Sequence, residues 1–113
     1  MTNSISFQHI DWSALEVEIK AGASGHSETR TLEFPGLRLR MIYYSPGYLA
    51  DHWCQKGHIV HCLEGSFESE MESGGSVILS AGQSYVVSDK MSSHRSISPD
   101  GARLLIIDGD FLR

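Results

Sequence analysis

Residues 47–65 read Gly-Tyr-Leu-Ala-Asp-His-Trp-Cys-Gln-Lys-Gly-His-Ile-Val-His-Cys-Leu-Glu-Gly and hold the densest group of metal-binding side chains in the chain. Three of the six histidines and both cysteines lie within this stretch. Because the thiols of intracellular proteins are normally kept reduced, we expect both cysteines to be free. They are therefore candidates for metal ligands, nucleophiles or core residues rather than for a disulfide.

The spacing within this stretch determines which donors can meet. On an extended strand His52 and Cys54 project from one face with Cα atoms about 7 Å apart, so an imidazole and a thiolate can reach one ion. On a straight strand His58 would lie about 13 Å from Cys54, which is too far for a shared ion. The chain must therefore bend between them, and Gly57 permits a bend. His94 lies far downstream and joins the site only if the fold brings its strand alongside.

Outward from this stretch, short alternating runs predict a series of strands. The predicted strands are 30–34, 37–44, 59–63, 67–71, 77–80, 84–88, 94–98 and 103–108. Turn-forming pairs such as Pro35-Gly36 and Glu64-Gly65 separate them at intervals of about 8 to 12 residues, which is typical of a sandwich or closed barrel. In Leu37–Met41 apolar residues alternate with arginines, which predicts that the apolar face is buried and that the arginines face water.

The chain is predicted to form one all-β domain, because 113 residues suffice for one modest core and are too few for two. Within residues 1–113 we expect an N-terminal arm and flexible loop over 1–29 and the barrel over 30–113. The glycine-rich stretch 21–27 is the expected flexible loop. Residues 13–16 carry the pattern of a helix start.

Composition and charge exclude several classes of function. Hydrophobic residues make up 41% and charged residues 20% of the chain, as in ordinary globular proteins, so disorder is not expected. The formal net charge is -5 and lysine and arginine form no run, which argues against binding to nucleic acid or to a membrane surface. The first residues carry no basic or apolar leader and no apolar stretch could span a bilayer, so we expect a cytoplasmic location.

Two stretches resemble the two sequence motifs of the cupin family. Residues 47–65 resemble the first motif, in which a glycine precedes an H-x-H pair, an acidic residue and a strand ending in glycine. Residues 81–94, Ala-Gly-Gln-Ser-Tyr-Val-Val-Ser-Asp-Lys-Met-Ser-Ser-His, resemble the second, in which a glycine opens a strand leading to a last histidine. The resemblance implies a cupin-type double-stranded β-helix, a jelly-roll barrel. Asp51-His52-Trp53-Cys54 is also similar to the motif of a small cupin group named after Asp, His, Cys and Trp.

The resemblance further implies a set of four metal ligands. His52 and Cys54 match the first and second histidines of the family, His58 matches its glutamate, and His94 matches its last histidine. A thiolate in place of a hard oxygen favours zinc, followed by iron or nickel, as the one divalent metal. The proline and glycine of the second motif are replaced by Ser88 and Lys90, which leaves the shape of the turn before His94 open.

Each of these residues also has a simpler interpretation. The four predicted ligands can form a polar barrel lining without an ion, and Cys54 alone can be a small buried residue. Cys62 is expected to pack in the core, and His61, which has the opposite parity to His58, to point away from the ion. Trp53 is expected to face away from the ligands, into sheet packing or a subunit contact.

Three classes of function fit this sequence. The first is a metal-binding cupin that holds one ion in its barrel and binds a small molecule. The second is a metal-dependent enzyme, similar to iron dioxygenases or to isomerases, that uses a three-histidine site with Cys54 disengaged. The third is a metal-free module that binds a small ligand. The sequence assigns no catalytic residue or substrate and leaves open whether the chain is an enzyme. Exposed strand faces with Tyr44, Trp53 and His61, together with the habit of the family, favour a homodimer.

Overall fold

The structure is a computed structural model that describes residues 4–113, so the first three residues of the predicted arm lie outside it. Most of the regular elements are strands, as the sequence predicted. The strands are β1 (Glu18–Ala21), β2 (His26–Phe34), β3 (Leu37–Tyr44), β4 (Tyr48–Leu49), β5 (His58–Met71), β6 (Ser76–Ser80), β7 (Ser84–Val87), β8 (His94–Ser98) and β9 (Ala102–Gly109). Within residues 4–113 the helices are short 3-10 turns, Trp12–Ala14 and Asp110–Leu112, and neither could cross a membrane.

Strand β5 organises the whole sheet. Its first half, up to Gly65, pairs antiparallel with β9 and β7. Its second half, from Ser66 onward, pairs with β6 and β8 instead. The strand order β1-β2-β3-β9-β5-β8-β4 therefore curls around β5 so that two parts of the sheet face each other. This curled antiparallel sheet is the jelly-roll barrel that the sequence predicted.

A β-bulge in the middle of β5 replaces the turn that was predicted at Glu64-Gly65. The register with β9 shifts between Cys62 and Glu64, and the predicted strands 59–63 and 67–71 are one continuous strand. The turn prediction was wrong because Gly65 adopts a left-handed conformation while it stays paired with Ala102 of β9. A bulge of this kind bends a strand while its neighbours stay paired.

The bulge also exchanges the faces of β5. Before it the buried residues have even numbers, as at Val60 and Cys62, and after it they have odd numbers, as at Phe67 and Ser69. One extra residue reverses the side to which every later side chain points. Both halves of the long strand therefore direct their apolar residues into the same barrel.

The sheet begins earlier than the predicted barrel boundary at residue 30. Strands β1 and β2 form a hairpin in which Ala21 lies opposite His26, so the stretch 21–27 is a tight turn rather than a loose loop. A Cβ on Gly22 would lie 2.3 Å from the carbonyl oxygen of Leu49. The glycine that suggested flexibility instead permits this close approach to β4.

The arginines of β3 face the barrel interior, which corrects the predicted orientation of this strand. Arg38 and Arg40 share their face with Ile42 and Tyr44, and all four line the central cavity. Asp108 on the adjacent strand β9 lies opposite Arg38 and forms ion pairs with both arginines. Alternation within β3 predicted the opposite orientation because it contains no information about a carboxylate on another strand.

The hydrophobic core lies between the two facing parts of the sheet. Its most buried side chains are Val60, Cys62, Phe67, Leu79 and Leu104. Tyr44 is also buried, and its ring stacks on that of Tyr48 with centroids 4.4 Å apart. The prediction that Tyr44 lies on an exposed face suited to a dimer contact is therefore wrong.

The substitution Gly65→Ala tests the bulge. Gly65 has a φ of 71°, and a Cβ there would lie 2.4 Å from the carbonyl oxygen of Gly101. Gly47 has a φ of 77°, but a Cβ there would have no neighbour within 4 Å. Gly47→Ala should lower the free energy of unfolding by about 1 to 2 kcal/mol, because of backbone strain alone. Gly65→Ala has the same strain and also the clash, so its loss should be about 1 to 3 kcal/mol larger than that of Gly47→Ala. Urea unfolding measures both, and equal losses would contradict the need for close approach at the bulge.

Candidate metal centre

Cys54 reaches the centre from an irregular segment that precedes β5. Its backbone forms an isolated antiparallel bridge with His94, the first residue of β8. The hydrogen bonds from Cys54 N to His94 O and from His94 N to Cys54 O are 2.7 and 2.9 Å long. This bridge places residues from the two cupin-like motifs side by side. His58, at the start of β5, completes the group.

Three donor atoms of this group, one each from Cys54, His58 and His94, lie within 4.8 Å of one another. Sγ of Cys54 is 3.6 Å from Nε2 of His58, which confirms that the chain bends between these two residues. Tetrahedral zinc with ordinary bonds to sulfur and nitrogen places such a pair about 3.6 Å apart. Both histidines are buried and Cys54 is half-buried. The donor set and its spacing therefore fit a zinc ion.

His52, the fourth predicted ligand, lies outside this cluster. Its side chain is 76% exposed, and its Nδ1 is 2.7 Å from Oδ1 of Asp51. The segment around it is a bend rather than a strand, so the parity argument that placed His52 beside Cys54 does not apply. His52 does line the mouth of the same cavity. The structure thus brings together three of the four predicted ligands.

A hydrogen-bond network orients the ring of His58. Its Nδ1 lies 2.5 Å from Oδ1 of the buried residue Asp108. Oδ2 of Asp108 accepts hydrogen bonds from Nε and Nη2 of Arg38 at 2.9 and 2.5 Å, and from Nη2 of Arg40 at 3.1 Å. This arrangement leaves Nε2 of His58 directed at Cys54. A carboxylate on the outer nitrogen of a metal-binding histidine is a common support for its orientation.

Sequence reasoning missed Asp108, although β9 carries a signal. The buried residues of β9 alternate as Ala102, Leu104, Ile106 and Asp108, so a carboxylate ends an otherwise apolar face. The continuous apolar run 104–107 conceals this alternation in the sequence. Buried carboxylates are rare unless they are paired, which makes such a position a candidate for function.

The charges of the network shift the pKa values of its members. Burial raises the pKa of Asp108, but the hydrogen bond with His58 and the charge of Arg40 outweigh it and bring that pKa to about 2. Burial lowers the pKa of His58, but hydrogen bonds with Asp108 and Cys54 raise it above its ordinary value. Hydrogen bonds with His58 and His94 lower the pKa of the Cys54 thiol to about 5. Cys54 is therefore a thiolate at neutral pH, the form that binds metal.

The turn before His94 forms without the glycine of the cupin motif. Lys90 has a φ of 65°, which is uncommon for a residue other than glycine. Its backbone N donates to the carbonyl oxygen of Gln55 at 2.8 Å and so ties the turn to the segment that carries Cys54. Oγ of Ser92 lies 2.8 Å from Nδ1 of His94, which leaves Nε2 of this ring available to a metal.

The structure confirms the predicted places of three neighbouring residues. Cys62 is completely buried in the core. The Nδ1 atom of His61 is 2.6 Å from Oγ of Ser84, on the outer side of the sheet. The ring of Trp53 packs against the guanidinium of Arg95 at 4.4 Å rather than against the ligands.

The three donors lie at the wall of a cavity inside the barrel. Its volume is about 340 Å³, which is within the range of small-molecule sites. The walls combine apolar residues, such as Ile42 and Leu104, with tyrosines, such as Tyr48 and Tyr85. A small molecule in the cavity can therefore contact the centre directly.

Solved structures of other proteins share the fold of this chain. No protein-family model and no curated protein matches the sequence. An RmlC-like cupin from Shewanella frigidimarina superposes with a TM-score of 0.72 at 21% identity, over 92% of this chain and 91% of that one. The polyketide cyclase RemF from Streptomyces resistomycificus superposes with a TM-score of 0.74 at 15% identity, over 92% of this chain and 80% of that one.

Ectoine synthase from P. lautus gives a TM-score of 0.60 at 22% identity, over 72% of this chain and 62% of that one. At such low identity these similarities establish the fold and not the activity. The chain therefore has the cupin fold, built as a single jelly-roll barrel.

Proposed function

We propose that the chain holds one divalent metal ion, zinc in the first place, between Cys54, His58 and His94, and that it binds a small molecule beside this ion. The observation that carries the proposal is the convergence of three donors within 4.8 Å at the wall of a cavity. The thiolate supplies a negative charge and favours zinc over harder metals such as manganese.

The arrangement favours a ligand-binding centre over a purely structural one. Structural zinc sites are closed by four protein ligands, whereas catalytic sites have three and leave one position open. With His52 outside the cluster, the fourth position would face the cavity. The open position makes metal-dependent catalysis on the bound molecule the second candidate function. His52 stays a prediction as the fourth ligand.

Several finer assignments stay predictions from the sequence. Membership of the cupin group named after Asp, His, Cys and Trp is supported by residues 51–54 and by the placement of Cys54 in the centre. The cytoplasmic location and the homodimer also stay predictions. Tyr44 no longer supports the homodimer, because its side chain is buried.

Replacement of each cysteine by serine, one at a time, tests the proposed ligand set. Cys54→Ser removes the anionic ligand, so it should weaken zinc binding by about a hundredfold or more. This loss exceeds the effect of removing a residue that only supports a ligand. Cys62→Ser changes a core residue away from the donors and should leave zinc affinity within about threefold of the wild type. Titration of zinc into the metal-free proteins against a chelator of known affinity measures both.

Equal zinc affinity of the Cys54→Ser and Cys62→Ser proteins would remove Cys54 from the centre. A His52→Ala variant in the same titration separates a three-ligand centre from a four-ligand one. With three ligands its zinc affinity should equal that of the wild type, and with four it should fall nearly as far as in Cys54→Ser.

Asp108→Asn tests the support of His58. The amide lacks the negative charge that orients and polarises the imidazole, so zinc affinity should fall about 10- to 100-fold. Asp110→Asn is the matched control, because Asp110 is exposed and pairs with Arg113 at the end of the chain. The same titration applies, with circular dichroism to verify that the variants are folded. An Asp108→Asn protein that binds zinc as tightly as the control would contradict the proposed role of this carboxylate.

The thiolate of Cys54 should be directly observable in metal-free protein. Because its pKa is about 5, the rate of alkylation by iodoacetamide in the Cys62→Ser background should rise with pH and reach half its maximum near that value. An unperturbed cysteine would give a midpoint near about 8.5. Bound zinc should suppress the reaction, and a midpoint above neutrality would contradict the thiolate.

A further inference from the structure

The cavity beside the centre is more basic than the chain as a whole. The chain has 14 Asp and Glu residues against nine Lys and Arg residues. Among residues 4–113, five basic residues line the cavity together with a single acidic one, Glu18. The basic residues are Lys20, Arg38, Arg40, Lys56 and Arg95. An acidic protein thus presents a basic lining to whatever enters the barrel.

Three of these five basic residues each form an ion pair with a separate carboxylate. The pairs are Lys20 with Glu18, Lys56 with Asp89 and Arg95 with Glu70. Arg38 and Arg40 instead share the one carboxylate of Asp108, which also bonds to His58. Asp108 alone does not neutralise the two guanidinium groups. The Cys54 thiolate offsets the second charge, and a divalent ion bound to that thiolate would leave the cavity wall with an excess of positive charge.

Arg40 has hydrogen-bonding capacity left for a ligand. Arg38 uses both Nε and Nη2 on Asp108. Arg40 contacts Asp108 through Nη2, while its buried Nε has no hydrogen-bond partner among residues 4–113. Buried donors are rarely left unpaired. The guanidinium of Arg40 also lines the cavity, and a guanidinium is well suited to hold a carboxylate through charge-assisted N–H bonds.

The rest of the wall is suited to an organic molecule. Ile42, Phe67 and Leu104 supply apolar surface, and the stacked rings of Tyr44 and Tyr48 lie on the same cavity. A fully hydrated inorganic anion gains nothing from such a surface, whereas the hydrocarbon part of an acid is stabilised by burial there. The volume of about 340 Å³ limits the guest to a small molecule.

We propose that the cavity binds a small organic carboxylate, whose charged group is received by Arg40 and whose apolar part lies against the tyrosines. This inference names the ligand class of the proposed metal centre and rests on that function. The contact with Arg40 does not itself require the ion, so the two claims can be tested separately.

The experiment compares acids with their uncharged amides. Benzoate, butyrate and 2-methylbutyrate, each paired with its primary amide, and inorganic phosphate are titrated into zinc-loaded and metal-free protein and followed by ¹H–¹⁵N NMR. At least one acid should saturate the protein about tenfold more tightly than its amide, because the guanidinium contact requires the charge. Phosphate should bind more weakly than this acid.

Variants locate the site. Arg40→Gln should weaken binding of that acid by about tenfold or more, and Arg40→Lys, which keeps the charge without the planar fork, should give an intermediate affinity. Arg103→Gln is the matched control, because Arg103 pairs with Glu64 at 3.7 Å and does not line the cavity. It should bind the acid as the wild type does. The NMR spectra also verify that each variant is folded.

Three outcomes would overturn the carboxylate site: no acid binds more tightly than its amide, phosphate binds most tightly, or the Arg40 variants bind the acid like the wild type. If zinc binding fails while the metal-free protein still binds the acid through Arg40, only the metal proposal is refuted. If zinc binds as proposed and the Arg40 variants change nothing, only the carboxylate proposal is refuted.

Discussion

The buried carboxylate of Asp108 connects the barrel wall to the candidate metal centre. One oxygen bonds to His58 and the other accepts hydrogen bonds from Arg38 and Arg40, so strands β3, β5 and β9 meet at a single side chain. Arg40 is largely shielded from water and needs a nearby anion, because an unpaired charge away from water is strongly unfavourable. The same anion fixes the ring of His58. The inward face of β3 and the geometry of the centre therefore depend on the same residue.

The centre differs from the cupin motif in its chemistry. The motif has an acidic ligand where this chain has His58, and a histidine where it has Cys54, so the anionic position moves from an oxygen to a sulfur. The hydrogen bonds that lower the pKa of Cys54 to about 5 stabilise the thiolate before any ion arrives. The thiol then needs no deprotonation when a metal binds, whereas the raised pKa of His58 means that this ring must still give up its proton. This preparation of the thiolate, together with its softness, is the physical basis for placing zinc first.

The features that the sequence predicted well are local. Turn pairs and alternating residues located most strands, and the two motifs pointed to Cys54, His58 and His94, whose donor atoms lie within 4.8 Å of one another. The features that it missed depend on pairing between strands. The bulge in β5 is a register shift against β9, and the inward orientation of Arg38 reflects a carboxylate on that same strand. His52 was placed by the parity of an extended strand, but the chain bends at this point, so spacing alone could not position it.

Coordination of zinc by the sulfur of Cys54 is the central feature of the proposed centre, and X-ray absorption at the zinc edge of zinc-loaded protein measures it directly. We expect one sulfur at about 2.3 Å together with nitrogen or oxygen ligands at about 2.0 to 2.2 Å. A spectrum that fits nitrogen and oxygen ligands alone would contradict the proposed centre, because the ion would then be held without the Cys54 thiolate.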